Sequence, residues 1–121
     1  MAFSPEERQR YARHLDLPGF GGHGQEKLRA GRVLVVGCGG LGSPALYYLA
    51  AAGIGRLGLM DSDRVDISNL QRQILHATPD IGRPKTDSAV ARLRTLNPHV
   101  QLSAHNERLT AENARELFAP Y

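Results

Sequence analysis

The chain has 121 residues, enough for one domain with one core, and its 41% hydrophobic and 22% charged residues are ordinary for a globular protein. No apolar run approaches a membrane span and the N-terminus lacks the pattern of a secretory signal, so no membrane partner and a cytoplasmic address are expected. The net charge of +3 is dispersed, which argues against nucleic acid as a partner. The single cysteine, Cys38, leaves no disulfide and no CxxC pair. The five histidines, His14, His23, His76, His99 and His105, lack metal-ligand spacing and read as scattered surface or core residues, so no metal site is assigned.

Ser4-Pro5-Glu6-Glu7 is a helix start: Ser4 caps, Pro5 suits the first helical position and Glu7 completes a capping box. That helix is expected to reach about Leu15, with Tyr11 and Leu15 on one face. Residues 16–24, with Pro18 and four glycines, read as a loop, and residues 25–29 as a short helix. Val33-Leu34-Val35-Val36 is a continuous apolar run of the kind that forms a strand covered on both faces in a parallel sheet. After a glycine-rich turn, Leu41, Ala45, Leu46, Leu49 and Ala52 recur at helical spacing; Pro44 is harmless in the first turn, and Gly53 and Gly55 end the helix. Residues 56–60 form a second strand that closes on Asp61.

Residues 61–84 are a long polar connection with a helical turn near Ser68 to Arg72, and loops of that length inside a domain usually carry function. Residues 85–96 read as an amphipathic helix with Ala89, Val90, Leu93 and Leu96 inward, stopped by Asn97-Pro98. Residues 100–104 form a third strand, and Thr110 caps a last helix whose apolar face is Ala114, Leu117 and Phe118. The alternation implies an α/β fold: a Rossmann-like parallel sheet with helices on its faces, incomplete as the first half of a doubly wound fold. Residues 1–30 read as an N-terminal helical arm and residues 31–121 as a nucleotide-binding half-domain. The first strand, central in that architecture, lacks a neighbour on its other side, so the chain is expected to be a fragment of a longer subunit. The alternative, a complete three-stranded domain, leaves an apolar strand edge exposed.

Gly37-Cys38-Gly39-Gly40-Leu41-Gly42 fits G-x-G-x-x-G between a strand and a helix. Glycines there permit a tight turn and close approach to phosphate oxygens, and the helix start adds free N–H groups and a positive dipole end. Asp61, about twenty residues on, stands where an acidic side chain accepts hydrogen bonds from ribose hydroxyls. These features alone describe a dinucleotide site. The dense polar run from Asp61 to Gln73, followed by Gly82-Arg83-Pro84-Lys85 at a helix start, instead suits cleavage of a triphosphate, where fixed cations stabilise the leaving pyrophosphate. Cys38 at the helix start has no histidine adjacent in sequence and reads as a small filler, not a nucleophile.

The joint pattern resembles the family that adenylates ubiquitin-like proteins: the MoeB/ThiF sulfur-carrier adenylyltransferases and the ubiquitin-activating enzymes. The matching stretches are Arg10-Tyr11-Ala12-Arg13-His14, Gly37 to Gly42, Asp61-Ser62-Asp63, Ser68-Asn69-Leu70-Gln71-Arg72-Gln73 and Gly82-Arg83-Pro84-Lys85. The resemblance implies that Gly37, Gly39, Gly40 and Gly42 approach the ATP phosphates and that Asp61 binds ribose. It implies that Asn69, Arg72 and Lys85 contact ribose and phosphates, with Ser68, Leu70 and Gln71 in the same binding stretch and Asp63 binding or bracing the loop. Arg72 and Lys85 then serve catalysis, with Arg13 as an arginine finger reaching into a dimer partner's site.

The implied reaction is adenylation of the C-terminal glycine of a ubiquitin-like carrier ending in Gly-Gly, of molybdopterin or thiamine type, before sulfur transfer from a donor protein. The implied companions of ATP are Mg²⁺, with its ligand expected beyond residue 121, and Zn²⁺ held by CxxC pairs also beyond it. Two alternatives remain: an NAD(P)-binding domain of an oxidoreductase, and a non-catalytic subunit of a heterodimeric activating enzyme. Without the missing parts, the 121 residues alone are expected to bind nucleotide weakly and to catalyse nothing.

Overall fold

The capping box forms as expected at the start of the chain, in a computed structural model that describes residues 2–121. Ser4 Oγ accepts from Glu7 N at 3.1 Å and Glu7 Oε2 accepts from Ser4 N at 2.8 Å. The first helix nevertheless stops at Arg10. α1 (Pro5–Arg10) and α2 (Ala12–Leu15) are separated by Tyr11, where φ is −100° and ψ 14°. Tyr11 is 5% exposed, and the break turns its ring into the protein. The expected loop over residues 16–24 is also shortened, because α3 (Gly21–Ala30) takes in three of its glycines. Glycine costs a helix interior about 1 kcal/mol. Packing decides otherwise here: the Phe20 ring covers Gly24 so closely that a Cβ there would come within 2.6 Å of it.

β1 (Arg32–Val36), β2 (Arg56–Met60) and β3 (Gln101–His105) form one parallel sheet in the order β1-β2-β3. Arg32, Arg56 and Gln101 stand in one register row, and Val36, Met60 and His105 in another. α4 (Gly42–Ala52) joins β1 to β2, and α5 (Lys85–Leu96) precedes β3. These two helices pack on each other and on the sheet. Cys38, Leu46, Ala50, Leu57, Leu59, Leu75, Ala89, Leu93 and Val100 form the core between them. The arrangement is the Rossmann-like parallel sheet with helices that the alternation implied.

α4 packs one phase away from the expected stripe: Ser43, Leu46 and Ala50 are buried, Ala45 is exposed and Leu41 is 90% exposed. Most of this helix is apolar, so spacing alone does not choose its inner face; the sheet does. α5 follows its stripe at Ala89 and Leu93, while Leu96 lies at its exposed end. Near the C-terminus, Thr110 and Asn113 cap each other reciprocally and lead into α6 (Ala114–Phe118). Phe118 is exposed rather than inward.

The N-terminal segment is fastened to the sheet domain by a buried polar knot at the C-terminal end of α4. Gly53 ends that helix at φ +89°, a left-handed value suited to glycine, and a Cβ there would strike Tyr11 and Gln25. Gln25 Nε2 donates to Ala52 O at 2.7 Å, and Gln25 Oε1 meets His14 Nδ1 at 2.8 Å. Asn97 Nδ2 donates to Ala50 O at 2.8 Å and to Tyr11 Oη at 2.9 Å. The Ala50 and Ala52 carbonyls at the helix end are thereby satisfied by side chains. Asn97→Ala removes two of these bonds at a fully buried position. It should destabilise the protein by about 2–4 kcal/mol in denaturant unfolding; a loss under about 0.5 kcal/mol would show that the knot contributes little.

Candidate functional site

The glycine turn is dictated by backbone space. Gly37 has φ +102° and donates to Met60 O at 2.7 Å, extending the β1–β2 ladder. A Cβ on Gly42 would lie 1.8 Å from Gly37 O, so the last glycine of the motif cannot be replaced without moving the turn. α4 then begins with neither a side-chain cap nor an acidic residue in its first turn. The Gly39 and Gly40 N–H groups make no hydrogen bond among the described residues. Unpaired N–H groups at a helix start form an anion-binding cradle.

Two side chains brace this turn. Asp61, at the end of β2, accepts Cys38 N on Oδ2 and Asp63 N on Oδ1, both at 2.8 Å. His76, 5% exposed, meets Cys38 O through Nε2 at 2.8 Å and Ser88 Oγ through Nδ1 at 2.7 Å. A carbonyl only accepts, so Nε2 carries the proton. Burial, with a smaller contribution from the Lys85 charge, lowers the His76 pKa; the bond to Cys38 O and the Asp80 and Asp61 charges oppose it. Burial and the Asp61 charge push the Cys38 thiol up to about 12, against a weaker pull from Lys85. Cys38 is therefore a filled, unreactive position, in line with its reading as a small filler.

The long connection folds back over the turn as an ordered layer. Val65 N donates to Arg83 O, Gly82 N to Val65 O and Lys85 N to Asp63 O, and residues 64 and 84 form a bridge. Lys85 thus opens α5 beside Asp63, with its side chain 8% exposed and Nζ 3.9 Å from Asp63 Oδ2. The Arg72 stem passes 4.0 Å from where a Cβ on Gly40 would sit, and Gln73 Nε2 lies 3.5 Å from the corresponding point on Gly39. Gln73 Oε1 is buried and has no partner. Glycines at 39 and 40 therefore leave a shallow cradle edged by Arg72 and Gln73.

The structure gathers Gly37, Gly39, Gly40, Gly42, Asp61, Asp63, Arg72 and Lys85 into one neighbourhood. Ser68 and Asn69 serve a local 3₁₀ turn: Asp66 Oδ2 accepts from Ser68 N and Oγ, and Asn69 Oδ1 accepts from Asp66 N. Arg72 Nη1 donates to Ser68 O at 3.2 Å, which ties this turn to the cradle. Leu70 is half-buried and Gln71 exposed. Arg13 is exposed on α2, the helix fastened at the end of α4 opposite the glycine turn.

Sequence reasoning missed several residues. His76 and Ser88 are 38 and 50 positions from Cys38, and only folding reveals that they act on the turn. A cleft of about 240 Å³ opens at the C-terminal ends of the strands, between Gly37, Asp61 and Ser62 on one side and Glu107, Arg108 and Leu109 on the other. The rule that parallel sheets bind ligands beyond their strand ends could have flagged residues 107–109. Among the described residues no three His, Cys, Asp or Glu side chains gather into a metal cage, and no helix is long and apolar enough to cross a membrane.

A family model described as "ThiF family" matches residues 11–121. The chain is 51% identical over 121 residues to a sulfur carrier protein adenylyltransferase of Thermus thermophilus, covering 100% of this chain and 45% of the relative. It is 53% identical over 116 residues to the adenylyltransferase and sulfurtransferase uba4 of Aspergillus niger, covering 96% of this chain and 24% of the relative. Among solved structures it resembles the E. coli tRNA N6-threonylcarbamoyladenosine dehydratase TcdA in complex with ATP, with a TM-score of 0.91 and 29% identity. That match covers 98% of this chain and 48% of the other. The chain spans less than half the length of these proteins.

The burial of neutral His76 makes stability depend on pH. Its folded pKa is lowered, so its contribution is complete above the unfolded value of about 6.5 and is lost as pH falls from there toward the folded value. The melting temperature should fall between about pH 7 and pH 5.5, and fall less steeply in His76→Gln. Parallel pH slopes for the two proteins would remove His76 as the cause.

Proposed function

The chain belongs to the ThiF family, and we propose that the protein carrying it uses ATP to adenylate the C-terminal glycine of a ubiquitin-like sulfur carrier, of molybdopterin or thiamine type. The observation that carries this reading is the convergence of Arg72 and Lys85 on a glycine turn whose N–H groups are free. A nicotinamide cofactor keeps its pyrophosphate intact and builds no new charge there, whereas a triphosphate being split builds charge on the leaving pyrophosphate that fixed cations stabilise. The naming of the Thermus relative and the ATP bound to TcdA support the same choice.

In this reading the turn and the start of α4 hold phosphate oxygens, and Asp61 retains lone pairs for ribose hydroxyls. Asn69 and the adjoining Ser68, Leu70 and Gln71 line the approach. The carrier's carboxylate oxygen attacks the α-phosphorus. An O–P bond forms as the bond to the β-phosphate oxygen breaks, and pyrophosphate leaves with the electron pair; no proton moves in this step. Lys85 and Arg72 neutralise the charge growing on pyrophosphate. The acyl-adenylate is then open to a sulfur donor protein, and no nucleophile is required from this chain. Mg²⁺ accompanies ATP in the resembled family, but the described residues offer no cage for it, or for Zn²⁺, so no step is assigned to a metal.

Residues 1–30 act as an arm and residues 31–121 as the nucleotide-binding half-domain of a cytoplasmic homodimer. Arg13 lies on the helix docked away from its own glycine turn, which suits delivery into a partner's site. The test is exchange of labelled pyrophosphate into ATP by the full-length protein, with a carrier ending in Gly-Gly. Arg72→Ala and Lys85→Ala should each reduce exchange by at least about tenfold. Arg13→Ala and Lys85→Ala should each be defective alone, and mixing them should restore up to about a quarter of wild-type activity through heterodimers with one intact site. No carrier-dependent exchange by the wild-type protein sinks the adenylation reading. Failure of mixing to restore activity sinks the role in trans.

A further inference from the structure

The residue at the centre of the glycine turn is held from two sides. Cys38 N–H is fixed by Asp61 Oδ2 and Cys38 C=O by His76 Nε2, each at 2.8 Å. A trans peptide is planar, with its C=O and N–H pointing in opposite directions. The Cys38 carbonyl points inward, toward a histidine 5% exposed that is backed by Ser88 at 2%. The Gly39 N–H of the same plane must therefore point outward. That N–H has no partner among the described residues, and the cradle edged by Gln73 and Arg72 lies beside it.

This plane would not hold by itself. Rotating it changes ψ of Cys38 and φ of Gly39, and glycine accepts positive and negative φ almost equally. The absent Cβ that lets a phosphate approach also lets the peptide flip and present an oxygen to it. A carbonyl facing a phosphate is repulsive, whereas an N–H forms one of the stronger, charge-assisted hydrogen bonds.

We propose that His76 is a positioning residue for nucleotide binding: its Nε2–H, oriented by Ser88, pins the Cys38 carbonyl and thereby aims the Gly39 N–H at a phosphate oxygen of ATP. The Cys38 carbonyl, which can only accept, fixes the ring proton on Nε2, and Ser88 Oγ, 2.7 Å from Nδ1, holds the other ring nitrogen. The proposal rests on the ATP reading above. It adds a residue from the long connection, 38 positions from Cys38, to the machinery that shapes the phosphate cradle.

The experiment compares the full-length wild type with its His76→Phe, His76→Gln and Ser88→Ala variants. ATP affinity is measured by equilibrium binding, KM for ATP and kcat by pyrophosphate exchange, and folding by thermal melting. Gln reproduces the donor, since its Nε2 stands as many bonds from Cβ as the histidine Nε2; Phe keeps the ring and loses the donor. His76→Phe should weaken ATP binding about tenfold or more, and His76→Gln should recover it to within about threefold. The loss should appear in KM for ATP with kcat at saturation little changed. Ser88→Ala, which leaves the histidine in place, should give a smaller loss and serves if His76→Phe does not fold. A folded His76→Phe, or failing that a Ser88→Ala, that binds ATP as wild type does overturns the positioning role alone. Equal weakening by Phe and Gln, following their loss of melting temperature, overturns it in favour of simple packing. A wild-type protein that binds no ATP overturns the parent reading and this one with it.

Discussion

The Asp61 carboxylate joins three segments of chain at one point. It ends β2, accepts the Cys38 N–H of the turn that follows β1, and accepts the Asp63 N–H of the connection that leads to α5. Backbone donors to an ionised carboxylate are among the stronger hydrogen bonds of a folded protein. The loop bearing Arg72 and the helix bearing Lys85 are placed by what this clasp begins, since Lys85 N donates to the Asp63 carbonyl. His76 completes the hold from inside. Asp61 is thus structural before any ligand arrives, and a ribose hydroxyl would share a group already committed to shaping the site.

The two ends of α4 divide the work of the molecule. At its N-terminus the Gly39 and Gly40 N–H groups are left unpaired beside a cradle edged by Arg72 and Gln73. At its C-terminus Gln25, Asn97, Tyr11 and the left-handed Gly53 satisfy the orphan carbonyls in a buried polar knot. The glycine end is left incomplete, and the end that anchors the N-terminal helices is closed. Helices α1 to α3 are accordingly packed onto the sheet domain through hydrogen bonds that need both partners buried, not draped over it.

Much of the fold was legible in order and type. The strand at residues 33–36, the glycine turn, the stripe at Ala89 and Leu93 and the capping box at Ser4 all rest on local chemistry and are found, although that strand is only partly covered, with Val36 52% exposed. What was misread depends on contacts between distant residues. Tyr11 breaks the first helix because its ring belongs under Gly53. Residues 21–24 are helical because Phe20 closes over Gly24. Leu41 faces outward because an almost wholly apolar helix takes its inner face from the sheet, not from its own periodicity.

The sequence by itself determined the glycine turn between strand and helix, the acidic residue ending the second strand, and the two cations, Arg72 and Lys85, that stand near them. Glycine, aspartate, arginine and lysine at those spacings have few other uses together. Only the tertiary structure decided what holds the turn in its working shape. His76, backed by Ser88 of α5, and Gln73 reach it from a connection whose path cannot be read from spacing, because a long polar loop has many conformations until its backbone finds partners. His76 looked like any scattered histidine in the sequence. Burial against Cys38 and Ser88 keeps its ring neutral and its proton on Nε2, so that the turn first recognised as a row of glycines is set by a side chain outside the motif.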